Sequence, residues 1–145
     1  MVINVKKEDV FIPEWNDNRD LPDIDQIKIW HRFLTTAERE QYIYLKNYTE
    51  GSAAKLIAAT QGGEIDDSAA DIFVEYSREF VQDTKGMALA IVTKIENLAI
   101  DYGDGKEPID TIEKFYAAPD AFPQLRAEIE GHMLNLTARA DTKNS

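Results

Sequence analysis

The stretch Gln26-Ile27-Lys28-Ile29-Trp30-His31-Arg32-Phe33-Leu34, running on into Thr35-Thr36-Ala37-Glu38, decides how this chain is read. Ile27, Ile29, His31 and Phe33 alternate with Lys28, Trp30, Arg32 and Leu34. Alternation with period two over β-branched and aromatic residues predicts a strand with one buried face. At Thr35 the texture switches. Thr35 and Glu38 have the spacing of a capping box, in which the threonine oxygen accepts from the third amide and the glutamate reaches back. A strand therefore ends and a helix begins within a few residues.

Working back toward the N-terminus, VINV (Val2 to Val5) and DVFI (Asp9 to Ile12) suit short strands. Between DVFI and the 27–34 strand lies PEWNDNRDLPD, bracketed by Pro13 and Pro22. Its Asn16, Asp17 and Asn18 bond their own backbone easily and tolerate turn dihedrals. These pieces predict a β-hairpin or small sheet. Thirty-four residues cannot build a core alone, so this unit must pack on the rest of the chain or on a partner.

Working forward, the capped helix is expected to run to about Tyr48, and Ala53 to Thr60 reads as a short helix ended by Gly62-Gly63. Asp66-Asp67-Ser68 offers an N-cap, followed by the helical stripe Ala69, Ile72, Phe73, Tyr76 and Phe80. Gly86 either ends that helix or sits inside a longer one. Met87, Ala88, Ile91, Val92, Ile95, Leu98 and Ala99 make a second helical stripe. DYGDGKEP (101–108) reads as a loop, Ile109 to Ala117 as a short helix opened by Pro108, and Ala121 to Ala138 as the last helix, with Pro123 in its first turn. The expected fold is α+β but mainly helical: a small N-terminal β unit over 1–34, a body of about four to six helices over 35–140, and a polar tail over 141–145.

The 145 residues suit one domain, and 43% hydrophobic with 30% charged is a globular composition. Cysteine is absent, which removes disulfides, thiolate metal sites and thiol nucleophiles. A net charge of −11 repels phosphate backbones. The basic residues Lys6, Lys7, Arg32, Arg39, Lys46, Arg78 and Arg126 are scattered and form no stripe, so nucleic acid is not an expected partner. No apolar run approaches the roughly 20 residues of a membrane span, and the start lacks a signal-peptide core, so a cytoplasmic protein is expected.

Catalytic signatures are missing. From Asp101 the acidic loop places glycines at EF-hand ligand positions 3 and 5 and Ile112 at position 12, so the calcium pattern fails. His31 and His132 are far apart in the chain, and no H-E-x-x-H, nucleophile elbow or phosphate-cradling loop occurs. No enzyme, metal or cofactor is expected. Partner binding is the better expectation. Trp15 and Arg19 belong to the residue types most enriched at interface hot spots. Trp30 falls on the strand face opposite the predicted core. Leu125, Ile129, Met133 and Leu136 stripe the last helix. Each also has a purely structural role open to it: Trp15 plugging the core, Arg19 pairing with a nearby aspartate, the stripe packing inward.

The order of FIPEWNDNRDLP (Phe11 to Pro22), the strand QIKIWHRFL and Thr36-Ala37-Glu38-Arg39, with the polar ending Lys143-Asn144-Ser145, resembles small proteins encoded in the tail modules of siphophages and prophages, the tail assembly chaperones. The resemblance covers the first 45 residues well and the ending loosely. It implies a protein of the host cytoplasm that binds the hydrophobic, helical tape measure protein, or other tail proteins, and keeps it soluble before the tail tube polymerises. It also implies a longer companion made by ribosomal frameshifting; self-association is left open by the residues. The alternative is a structural virion protein, a head–tail connector or tail-completion subunit, whose extended N-terminus adds a strand to a neighbour.

Overall fold

The computed structural model describes residues 1–43, 45 and 67–139; of 67–77, 79, 138 and 139 only the backbone is described. The predicted helical continuation to Tyr48, the Ala53–Thr60 helix, the side-chain stripe from Ala69 to Tyr76 and the polar tail 141–145 lie outside these limits.

Strand β1 (Glu8–Phe11) and strand β2 (Lys28–Arg32) form the expected antiparallel pair, with Phe11 opposite Ile29 and Val10 opposite Trp30. Val2 to Val5, expected as a strand, forms none and is exposed. Helix α1 (Thr36–Tyr42) begins on the predicted capping box, complete in both directions. Arg32 at the end of β2 forks onto the same Glu38 carboxylate at 2.6 and 2.7 Å. With Arg32 bonded to it first of all, and the Thr35 amide and hydroxyl adding to the effect, the Glu38 carboxyl is held down to about 2. The strand-to-helix switch is thus locked by one carboxylate.

Helix α2 (Asp67–Ile91) runs straight through Gly86. The second predicted helical stripe then breaks. Val92–Glu96 is strand β3, which pairs antiparallel with β2 and completes a three-stranded sheet in the order β1-β2-β3. The chain is therefore α+β, with helices within the expected number but sharing the fold with a three-stranded and a two-stranded sheet, and it is not mainly helical. The cause is visible in the register. Trp30 faces Lys94 but His31 faces Val92, so Thr93 is a bulge. The bulge resets the pleat, and Val92 and Ile95, three apart, both point into the core. That i, i+3 spacing imitates a helix.

The acidic loop is likewise a hairpin. Strand β4 (Ala99–Asp101) pairs with strand β5 (Lys106–Pro108). Its turn needs Gly103 at φ 91° and Gly105 at φ 147°. Backbone bonds from Ile109 to Leu98 and from Ile95 to Asp110 tie the hairpin's base to β3. Helix α3 (Ile112–Ala117) is capped by Thr111, later than the predicted Pro108 opening. Helix α4 (Pro123–Arg139) follows. Met87, Ala88 and Ile91 of α2 share one core with Ile29 and Ile95 of the sheet and with Leu125, Ile129 and Met133 of α4.

Candidate functional site

The residues expected to bind a partner are placed very differently from one another. Leu125, Ile129 and Met133 are fully buried and Leu136 nearly so, so the C-terminal stripe packs inward and presents no surface in this conformation. Trp15 starts a 3-10 turn over Trp15–Asp20 and packs edge-on to Phe122 at 5.5 Å. Arg19 donates to the Ile12 carbonyl and pairs with Glu14. Trp30 lies on the outer sheet face under the Lys94 ammonium, 5.2 Å from its ring. Its indole N–H is buried and, among the described residues, forms no hydrogen bond of good geometry. Lys94, with Trp30 beside it, holds the Glu96 carboxyl below the usual range.

The central residue of the 11–22 motif is one that sequence reasoning did not single out. Asn18 is 1% exposed. Its amide donates to the carbonyls of Pro13 (2.9 Å) and Ile27 (3.1 Å), and its oxygen accepts from the Ile27 amide at 2.7 Å. One side chain therefore staples both ends of the turn. Asn16 and Asp17 reach it through left-handed conformations, φ 55° and 59°, which Asn and Asp tolerate better than most residues. From α4, the Glu128 carboxylate accepts the amides of Glu14 and Trp15 at 2.8 and 2.9 Å. The motif is thus a scaffold clamped to α4.

The histidines, separated by 101 positions, are brought together. His31 Nδ1 lies 3.0 Å from the Arg32 carbonyl, which makes that nitrogen the donor. In the neutral pair His31 Nε2 then accepts from His132 Nε2 at 3.3 Å, and Phe11 stacks on the His132 ring at 4.2 Å. Chain separation hid this contact, which only the docking of α4 on the sheet creates. Among the described residues no third His, Asp or Glu completes a metal site here or elsewhere.

Two surface pockets flank Ala118, which lines both, near the turn from α3 to α4. The larger, about 220 Å³, is lined by Phe115, Tyr116, Pro119, Asp120, Phe122 and Arg126. The smaller, about 120 Å³, is lined by Ile100, Tyr102, Glu107, Pro108, Ile109 and Lys114. Tyr116 stiffens the larger wall. Its hydroxyl donates to Glu130, and Lys85 and Arg126 lie over its ring at 5.2 and 5.4 Å. Burial, and then Glu130, push the Tyr116 hydroxyl well above the usual phenol range. Arg126 pairs with Glu130, and Lys114 pairs with Asp110, whose carboxyl is thereby held low. Asp120 adds to the negative field on Arg126, and with Lys85 over Tyr116 both signs of charge lie beside the larger pocket.

No helix among the described residues is long and apolar enough to cross a membrane. Comparison of the chain with protein-family models, with curated proteins and with solved structures finds no match.

Proposed function

We propose that this chain is a non-catalytic tail assembly chaperone of a siphophage or prophage, binding the tape measure protein and keeping it soluble before the tail tube polymerises. The observation that supports the proposal is a chain of net charge −11 that leaves the large apolar side chains Leu21, Ile24, Ile43 and Val81 exposed. Such a surface can cover apolar side chains of a client while the charge keeps the complex dispersed. The resemblance of residues 11–22 and 36–39 supplies the biological setting. Co-expression with the tape measure protein of the same tail module tests the role. A soluble complex that survives size exclusion is expected. Recovery of the two proteins only in separate fractions, at every ratio tried, would defeat it.

One observation favours a second role, that of a structural virion subunit. Met1, Val2, Ile3 and Val5 are strongly exposed and lead directly into β1, which is an edge strand of the sheet. An apolar segment of that kind can add to a neighbour's sheet. Mass spectrometry of purified particles separates the two: a stoichiometric virion component supports the subunit, and absence from particles supports the chaperone.

A further inference from the structure

We propose that His31 and His132 form a zinc site that fastens helix α4 to the sheet, with the two Nε2 atoms as the protein ligands and water at the remaining positions. This site is independent of the client-binding role. Distance selects the ion. The two Nε2 atoms lie 3.3 Å apart. Nitrogens each ~2.0–2.1 Å from a tetrahedral Zn²⁺ stand about 3.3–3.4 Å from one another. Adjacent corners of a square-planar Cu²⁺ or Ni²⁺ site would bring them to about 2.8–3.0 Å at similar bond lengths. As a hydrogen bond the contact is poor, because it exceeds the usual roughly 2.7–3.2 Å of an N–H donor. It is also bent: ring centres 5.1 Å apart are nearer than two rings in line across that gap allow. A metal lying off the line between the nitrogens requires such a bend.

The surroundings match what a ligating histidine needs. A metal-bound imidazole donates its other N–H to a carbonyl or carboxylate, which fixes the tautomer and aims the ring. His31 Nδ1 does this to the Arg32 carbonyl at 3.0 Å, leaving the Nε2 lone pair toward His132. His132 becomes the second ligand when its proton moves to Nδ1 and the metal takes its place on Nε2. Phe11 stacks on His132 at 4.2 Å and Phe33 meets His31 edge-on at 5.7 Å, so both rings are held before an ion arrives. Asp9 lies directly across from His31 in the β1–β2 ladder, which puts its side chain on the same sheet face. That carboxylate and the net charge of −11 favour a cation beside the pair. His31 is fully buried, but His132 keeps part of its surface exposed, which gives a hydrated ion its approach. Among the described residues no third His, Asp or Glu groups with the pair, so the open positions go to water.

The test titrates untagged full-length protein, stripped with EDTA, with Zn²⁺ in a calorimeter at about pH 7.5, where imidazoles are neutral. One equivalent should bind, and the thermal midpoint should rise with zinc, because only the folded chain brings the two rings together. Mg²⁺, which prefers oxygen ligands, should do neither. His132→Ala removes one of the two ligands. It should weaken zinc binding by at least the roughly 10–100-fold that losing even an outer partner of a ligand costs. His31→Gln should do the same, and circular dichroism checks that each variant is folded. X-ray absorption of the parent zinc complex should show imidazole nitrogens at ~2.0–2.1 Å, and it decides the matter if neither variant folds. No zinc bound at about 1 mM, equal binding of Mg²⁺, unchanged zinc affinity in both folded variants, or a zinc shell without imidazole overturns the proposal. None of these outcomes bears on whether the tape measure complex forms.

Discussion

Replacing Asn18 by alanine removes three hydrogen bonds at once and leaves two carbonyls, of Pro13 and Ile27, and the Ile27 amide without their partner. Each buried polar group left unsatisfied costs about 1–3 kcal/mol. The neighbours Asn16 and Asp17 are exposed, so water can reach part of the vacated site. Counting the Ile27 amide and one carbonyl as fully stranded gives a loss of about 3 kcal/mol. For a chain of this length that lowers the thermal midpoint by about 6–12 °C. Asn18→Asp sharpens the test. It keeps the acceptor for Ile27 but turns the donor toward two carbonyls into a carboxylate oxygen. The folded state then favours the protonated acid, so its folded pKa is raised, and the variant should gain stability as pH falls toward 4. At pH 7 it should be less stable than Asn18→Ala. Urea titrations followed by circular dichroism and by tryptophan emission measure both. If Asn18→Ala stays within about 0.5 kcal/mol of the parent, the level of an ordinary surface substitution, the staple does not hold the turn.

Other consequences follow from the same geometry. Glu38 has a folded pKa near 2 and an ordinary one in the unfolded chain, so its contribution is present above about pH 4.5 and is lost as pH falls toward 2. Solvent screening of the partly exposed Arg32, 35% accessible, limits this to about 1 kcal/mol, and Glu38→Gln should remove that acid-sensitive component from stability measured against pH. Glu128→Ala should free the Glu14 and Trp15 amides, cost about 1–3 kcal/mol and shift Trp15 emission to the red; unchanged emission would speak against the clamp. Ile129→Ala, in the fully buried stripe of α4, should cost about 2–5 kcal/mol, whereas a residue kept for partner binding would leave stability intact. Gly86→Ala, five residues before the end of α2, meets nothing within 4 Å and should stabilise the chain by about 0.5–1 kcal/mol; destabilisation would mean that the helix is interrupted there.

Local signals carried much of this fold. The capping box at Thr35 and Glu38 and the inward set Ile27, Ile29 and His31 were legible because their causes lie within a few residues. The turn chemistry of Asn16 to Asn18 was legible too, though not that Asn18 is the staple, because its partner Ile27 is chosen by the closed loop. Tertiary structure decided the rest. Val92–Glu96 reads as helix by spacing and becomes a strand because β2 offers it a ladder, with the Thr93 bulge absorbing the mismatch. The hairpin at 99–108 forms because its base is bonded to Leu98 and tied to β3 through Asp110. His31 meets His132 through the docking of distant elements. Periodicity reports which residues are apolar and how they are spaced. It does not report which neighbour will satisfy the backbone, and at Val92 that neighbour was what separated strand from helix.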